Sequence, residues 1–322
     1  MKAVVLDGYA LNPGDLSWDG LRDLCDEFTC YDYTAPAETI AHIGSCEVVF
    51  SNKTVITREI LDACPQVRFI GLLATGYNII DIEAAAERGI PVCNVPSYST
   101  ASVAQMTIAL LLEITNAVGL HSQSVHGGRW QNCDGFTYWE TPQIELADKT
   151  FGIVGFGNTG MATAAIAQAL GMRVLVYTRT PKPQYQSETL RFCALDEVLA
   201  GSDILSLHCP LFAETEKMID AAAIAKMKDG AILLNTARGG LLDEQAVADA
   251  LDSGKLYAAG LDVVAVEPIL PDNPLLKAKN CLLTPHIAWA TFAARKRLMG
   301  VLEENLRAFL EGRPQNVVNN LD

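Results

Sequence analysis

Two features of the sequence predict an α/β protein built from doubly wound parallel sheets, and the length predicts two such domains. The first feature is the stretch from Lys149 to Thr180. An apolar run, Phe151 to Val154, stops at Gly155-x-Gly157-x-x-Gly160, an Ala-rich segment follows, and a second apolar run spans Arg173 to Tyr177. Strand, glycine turn, helix and strand in that order make a dinucleotide-binding unit. The second feature is a repeated alternation of short apolar runs with helical segments on both sides of this unit, the pattern of parallel sheets covered by helices. With 322 residues, half of them hydrophobic, the chain can build two sizeable cores.

The elements can be justified in order. Ala3 to Leu6, Glu47 to Phe50, Arg68 to Leu73 and Pro91 to Asn94 read as strands. Leu21 to Asp26, Arg58 to Ala63 and Ile82 to Arg88 read as helices, with Pro65 and Gly89 as stops. The loop from Ala74 to Asn78 therefore lies at the carboxyl edge of a sheet, where such folds bind ligands. Thr100 reads as the N-cap of a helix running to about Val118, with Val103, Met106, Leu110 and Ile114 on one face. The irregular segment from His126 to Pro142 carries Trp130, Phe136, Tyr138 and Trp139. It is expected to pack mainly over a domain junction, with a pocket or subunit interface as the alternative.

In the glycine turn, Gly155 permits the tight bend, Gly157 lets backbone approach a pyrophosphate, and Gly160 lets helix and strand pack closely. The helix from Ala162 to Leu170 ends at Gly171. Free N–H groups and the dipole at its start favour a diphosphate. Further strands are expected at Asp203 to Leu207, Ala231 to Asn235, Ala258 to Val263 and Cys281 to Leu283. Asp243 caps a helix from Glu244 to Leu251, and a C-terminal helix covers Phe292 to Leu310 before Gly312 and Pro314. Past the four strand ends stand His208, Arg238, Asp262 to Glu267, and His286. Taken singly, each is an ordinary loop residue. Jointly they share one sheet edge with the glycine turn.

Composition excludes several classes of function. The 38 acidic and 24 basic side chains give a net charge of −14, which argues against nucleic acid and anionic membranes as partners. The start, Met1-Lys-Ala-Val-Val-Leu-Asp7, is too short and polar for a signal peptide, and Ile108 to Leu112, the longest apolar stretch, is far short of a membrane span. Nine cysteines without C-x-x-C spacing read as reduced thiols in a cytoplasmic protein, and no metal site is expected.

Gly155-x-Gly157-x-x-Gly160, Asn235-Thr-Ala-Arg238-Gly-Gly, Gly260-Leu-Asp262-Val-Val-x-x-Glu267-Pro268 and Thr284-Pro285-His286-Ile-Ala288 resemble the D-2-hydroxyacid dehydrogenase family across essentially the whole chain. Ser51-Asn-Lys, Leu73-Ala-Thr-Gly-Tyr-Asn, Tyr98-Ser-Thr-x-Ser-Val-Ala-Gln and His286-Ile-Ala-Trp289 are more similar to its glycerate dehydrogenase, or hydroxypyruvate and glyoxylate reductase, branch. The resemblance implies a flavodoxin-like substrate domain from residues 1–100 plus 290–322. It implies an inserted Rossmann cofactor domain at 101–289, a hinged cleft between the two, and a two-fold homodimer. It also implies a catalytic set of Arg238, Glu267 and His286. Arg238 would hold the substrate carboxylate and polarise the keto oxygen. Protonated His286 would be the proton donor, supported by Glu267. Thr75, Gly76 and Trp289 complete the expected substrate contacts.

The expected cofactor contacts, beyond the three glycines and the catalytic Arg238 and His286, are Thr100, Asn158, Thr159, Thr178, Arg179, Thr180, His208, Cys209, Pro210, Thr215, Thr236, Ala237, Asp262 and Ala288. Thr178 stands where NAD enzymes place an acidic residue on the ribose hydroxyls. Its neighbours Arg179, Thr180 and Lys182 suit a 2′-phosphate, so NADP(H) is favoured, with NAD(H) as the alternative. Hydroxypyruvate and glyoxylate are the expected substrates. The competing readings are a non-enzymatic dinucleotide-sensing co-regulator and a phosphoglycerate dehydrogenase. The complete catalytic triplet disfavours the first. The second often adds a C-terminal regulatory domain, whereas here about ten residues follow the last helix.

Overall fold

The computed structural model describes residues 1–320, and the chain divides into two compact units. One contains Met1–Ser99 together with the chain from Ala290 on; the other is Thr100–Trp289.

The first unit is a five-stranded sheet of β1 (Lys2–Val5), β2 (Glu27–Cys30), β3 (Val48–Ser51), β4 (Phe69–Leu72) and β5 (Val92–Cys93). All pairings are parallel and the order is β2-β1-β3-β4-β5, the flavodoxin-like winding. β3 and β4 are buried throughout, as expected of central strands covered on both faces. The C-terminal helix Phe292–Leu310 belongs to this unit, and its Phe309 ring meets Phe69 at 4.9 Å. At its other end Arg295, nearly buried, makes a two-pronged ion pair with Asp15 at 2.6 Å on each arm. The guanidinium holds the Asp15 carboxyl below its usual range.

The second unit carries seven parallel strands: β6 (Thr150–Val154), β7 (Arg173–Tyr177), β8 (Leu190–Phe192), β9 (Ile204–Leu207), β10 (Ala231–Asn235), β11 (Leu256–Leu261) and β12 (Cys281–Leu283). Their order is β12-β11-β10-β9-β6-β7-β8, a Rossmann winding that reverses beside β6. Alternate side chains feed two cores. Phe151, Ile153, Val174, Val176, Ile232 and Leu234 face one; Val154, Leu205, Leu207, Leu233 and Leu261 face the other. Each such side chain contributes roughly 1.5–3 kcal/mol on burial.

The long helix departs from its expected form. Thr100 is already its first helical residue, and the helix ends at Asn116. Ala117 adopts a left-handed conformation (φ 46°), and a second helix, Val118–His126, leaves at 54°. The aromatic segment also departs from expectation. Phe136 is 90% exposed, and Trp130 and Trp139 are exposed too, so these three rings are largely uncovered. The segment is nevertheless ordered. Trp130 Nε1 donates to Phe136 O at 3.0 Å, and the Arg129 guanidinium lies 4.5 Å over the Tyr138 ring.

β2, β8 and the helices Thr39–Ile43, Leu195–Gly201 and Ala221–Lys226 were not expected from the sequence. Both strands are sheet edges, and β2 is largely exposed, so neither shows a strong apolar alternation. The helix expected from Leu21 to Asp26 is a short turn, Asp19–Arg22. Among the described residues no single helix is long and apolar enough to cross a membrane.

Candidate active site

The site begins where β6 ends. Gly155 has φ +99°, a conformation L side chains rarely adopt, and its N–H donates to Tyr177 O at 2.8 Å. A Cβ on Gly160 would stand 2.2 Å from Gly155 O, so only glycine lets the helix Asn158–Ala169 sit this close to the strand. Gly157 differs. A Cβ there would meet nothing within 4 Å, and Gly157 caps the helix with no side-chain cap bond. The turn is thus closed toward the protein at Gly155 and Gly160 and open at Gly157, before the helix start. That geometry fits a dinucleotide diphosphate.

At the end of β7, half-buried Thr178 forms no side-chain hydrogen bond among the described residues, and Arg179 and Thr180 are exposed. Arg179 enters no ion pair among those residues; its guanidinium lies 5.5 Å over the ring of Phe212. Lys182 Nζ lies 3.5 Å from Met161 Sδ in the first turns of the glycine helix.

The loop after β9 starts at His208. Its N–H donates to Val154 O at 2.8 Å and its Nε2 is 2.9 Å from Ser206 Oγ, a buried hydroxyl. Burial pushes its pKa down to about 4, so the ring is neutral at neutral pH. Cys209 Sγ contacts Met218 Sδ at 3.7 Å, and burial pushes the thiol up to about 11, which leaves it unreactive. Thr215 Oγ1 accepts from Phe212 N at 2.8 Å and lies 2.9 Å from Pro210 O. The Thr215 hydroxyl therefore shapes this loop from within.

Thr236 follows β10, and its Oγ1 pairs with Thr107 Oγ1 at 2.8 Å. Asn235, fully buried, accepts from Ala237 N at 3.0 Å and donates to Arg238 O at 2.8 Å, so it forms the turn that turns Arg238 outward. Arg238 Nη1 donates to Ala237 O at 2.7 Å, and Arg238 enters no ion pair among the described residues. An exposed guanidinium with most of its donors unused suits a carboxylate.

His286 follows β12, and its setting is built by Asp262 at the end of β11. Asp262 is 1% exposed. Its carboxylate accepts from Thr284 Oγ1 (2.6 Å), Ile287 N (2.9 Å) and Ala288 N (2.8 Å), and its carbonyl accepts from His286 N (2.8 Å). Those bonds hold His286 in a left-handed conformation (φ 54°), a strained state that surrounding contacts must enforce. Ser102 Oγ donates to Ala288 O at 2.6 Å and fastens the same loop to the helix that starts at Thr100. Trp289 follows, half-buried.

His286 Nδ1 lies 2.7 Å from Glu267 Oε2, with both side chains partly accessible. The carboxylate can only accept, so Nδ1 carries the proton and Nε2 is the outward nitrogen. Glu267 Oε1 is 3.4 Å from Val264 N, and Glu244 holds the preceding stretch through Ala265 N at 2.7 Å and Asn273 Nδ2 at 2.9 Å. Arg238, Glu267 and His286 thus come from the ends of three adjacent strands, β10, β11 and β12.

The sequence reading had no signal for Ser206, Glu244, Ser102 or the full role of Asp262. All four act through folded-state partners far away in sequence or one strand turn away. The first unit has a comparable organiser, Asp7 at the end of β1. Its carboxylate accepts from Asn52 N (2.7 Å), Lys53 N (2.5 Å) and Thr54 N (2.8 Å). On that unit Thr75 Oγ1 donates to Val95 O at 2.7 Å, while the N–H groups of Thr75 and Gly76 make no hydrogen bond among the described residues. Among the described residues no cluster of three or more His, Cys, Asp or Glu could hold a metal.

The family model for the D-isomer specific 2-hydroxyacid dehydrogenase, NAD binding domain, matches residues 108–288. The chain belongs to this family. A hydroxypyruvate reductase of Blautia hydrogenotrophica is 54% identical over 322 residues, covering 99% of this chain and 100% of the relative. A glycerate dehydrogenase of Methylorubrum extorquens is 37% identical over 295 residues, 91% of this chain and 92% of the relative. The solved structure of an acyclic imino acid reductase in complex with NADPH and D-Arg is 30% identical, covers 99% of this chain and 100% of its own, and superposes with a TM-score of 0.85. The protein is accordingly an NAD(P)-dependent oxidoreductase that interconverts a 2-keto acid and its D-2-hydroxy acid.

Proposed function

We propose that this D-2-hydroxyacid dehydrogenase reduces hydroxypyruvate or glyoxylate to D-glycerate or glycolate, with NADPH as the preferred reductant. The observation that carries the chemistry is the Glu267–His286 pair at 2.7 Å, together with an Arg238 that enters no ion pair among the described residues. The names of the hydroxypyruvate reductase and glycerate dehydrogenase relatives support the substrate class.

Bound NAD(P)H supplies the hydride that reaches the keto carbon. Arg238 holds the substrate carboxylate and polarises the keto oxygen with charge-assisted donors. His286 keeps a proton on Nε2 and delivers it to the oxygen as negative charge develops there. Glu267 holds Nδ1–H, which fixes the ring and stabilises its positive form. The free N–H groups of Thr75 and Gly76 are the carboxylate-binding groups of the first unit, and Trp289 adds an apolar wall. In this reading Thr100–Trp289 is the cofactor-binding domain and the remainder the substrate domain. The open Gly157 turn, with Asn158 and Thr159, takes the diphosphate, and Thr178, Arg179 and Thr180 take the 2′-phosphate. The turns at His208–Pro210, Thr236–Ala237 and Asp262–Ala288 line the nicotinamide end. The lack of an acidic residue at position 178 supports NADPH, as does the NADPH in the acyclic imino acid reductase structure. The test is kcat/KM for hydroxypyruvate, glyoxylate and pyruvate with both reduced cofactors. Turnover of none of these acids would overturn the substrate reading, and equal or better use of NADH the cofactor reading.

The assembly is a homodimer joined through the helix Val118–His126 and the aromatic segment. An ordered segment that presents Val118, Trp130, Phe136 and Trp139 outward has the character of an interface. Light scattering at low protein concentration tests it, and a fully active stable monomer would refute it. All nine cysteines are unpaired, which suits a cytoplasmic, reducing setting.

A further inference from the structure

Phe212 has no part in the chemistry so far, yet its placement is costly and specific. The ring is 47% exposed, while its backbone is held by Thr215 and Glu216. Its N–H donates to Thr215 Oγ1 at 2.8 Å, and its carbonyl accepts from Thr215 N at 3.0 Å and Glu216 N at 2.9 Å. A locked backbone under an outward ring presents a flat aromatic surface at a fixed place.

The Arg179 guanidinium lies on that surface, 5.5 Å from the ring centroid. Arg179 follows β7 and Phe212 follows β9, and the two strands flank β6. Strands neighbouring a common partner are about 10 Å apart, a span that an arginine side chain can bridge. The pair therefore reaches across the carboxyl end of β6, where the glycine turn stands. A cation held over a ring face by its charge uses none of its N–H donors in that contact, so the guanidinium fork stays available. A cation held this way can still grip a phosphate, and less side-chain freedom is lost when it does.

We infer that Phe212, fixed by Thr215, is a positioning residue that pre-orders Arg179 for the 2′-phosphate of the cofactor's adenosine. This deepens the NADP(H) reading and rests on it. Phe212 thereby acts on cofactor selection, and Thr215 acts through Phe212 rather than through a cofactor contact of its own hydroxyl.

The test is calorimetric binding of adenosine 2′,5′-bisphosphate and of 5′-AMP to the full protein, without turnover. In the parent the bisphosphate binds more tightly. In Phe212→Leu that preference falls about twofold to fivefold, the scale of one partly exposed cation–π contact, and 5′-AMP affinity stays unchanged within error. Phe212→Tyr, which keeps the ring, retains the preference. Thr215→Val lowers it and Thr215→Ser restores it. A parent that binds both ligands equally would overturn the NADP(H) reading itself. A parent that discriminates while Phe212→Leu discriminates equally well would overturn the positioning role alone.

Discussion

His208 and His286 stand on the same edge of the same sheet, one after β9 and the other after β12, and their surroundings set them to opposite tasks. His208 has an ordinary backbone tie to Val154, a neutral hydroxyl partner in Ser206, and burial that lowers its pKa to about 4. His286 has a left-handed backbone, a carboxylate partner in Glu267, and an accessible side chain. In the proposed mechanism the first stays neutral within its loop, and the second carries a proton to the ligand. A place at the carboxyl edge of a sheet therefore makes a histidine available for chemistry, and its partner and burial decide whether it is used.

The strongest way to break this contrast is to remove each ring. His286→Ala should lower kcat for reduction by roughly 10²–10⁴-fold, the range for a lost general acid. His208→Gln, which keeps a polar group near Ser206, should lower it less than about tenfold. Comparable losses in steady-state kinetics would erase the distinction. Arg238→Ala belongs with His286→Ala in size, because carboxylate orientation and carbonyl polarisation disappear together. Arg238→Lys should recover only part of the rate, since a point charge cannot make the planar two-pronged contact.

A smaller effect separates placement from chemistry. Asp262→Ala leaves Ile287 N–H, Ala288 N–H and the Thr284 hydroxyl without their acceptor in a partly buried loop. At about 1–3 kcal/mol for a buried unsatisfied group, partly relieved by water, a loss of about 3 kcal/mol in urea unfolding is expected. kcat should fall as well, because His286 loses the frame that enforces φ 54°. Unchanged stability would show that the loop holds itself without Asp262.

These two residues also mark how far the sequence could be read. The glycine turn, the strands Arg173–Tyr177, Ala231–Asn235 and Cys281–Leu283, and the helices Arg58–Ala63 and Phe292–Leu310 were legible because period and punctuation are local signals. His286 and Glu267 were legible as candidates because a parallel sheet gathers its strand ends on one edge. Three further features were not. The left-handed backbone at His286 and the four hydrogen bonds that Asp262 accepts around it come from contacts between the ends of β11 and β12, and the neutral setting of His208 comes from its burial beside Ser206. The edge strand Glu27–Cys30 was missed for a different reason: it is mostly exposed, so its pattern lacks the apolar face that marks a strand. Phe136 and Trp139, expected mainly as packing residues, are exposed, because nothing in a loop sequence says which side of an aromatic ring is covered.

The partner's charge is tested next. Glu267→Gln keeps a hydrogen-bonding group against Nδ1 but removes the negative charge that stabilises the positive ring. The reduction rate should fall about tenfold, because the ring loses the charged partner that holds Nδ1–H. A rate equal to the parent's would uncouple Glu267 from the proton donor.

The smallest effect concerns His208 and appears in stability rather than rate. Its folded pKa, about 4, lies below the ordinary value of 6.5. Between those values the unfolded chain binds a proton that the folded chain does not, so stability rises with pH across the window and is lost as pH falls from 6.5 toward 4. Above the window both states are neutral and the residue contributes no pH dependence. At pH 5 the penalty should be about 1–2 kcal/mol, reduced from the fully buried figure because the ring keeps some accessibility. His208→Gln removes the titrating group, so its unfolding free energy should fall less than the parent's between pH 7 and pH 5. Asp15, whose carboxyl is lowered by Arg295, loses its contribution only at more acid pH, so the two groups separate along the axis. Urea unfolding of both proteins at pH 7, 6 and 5 measures the difference. Parallel losses in parent and variant would mean that His208 accepts a proton in the folded state, and the two histidines would then differ in position alone.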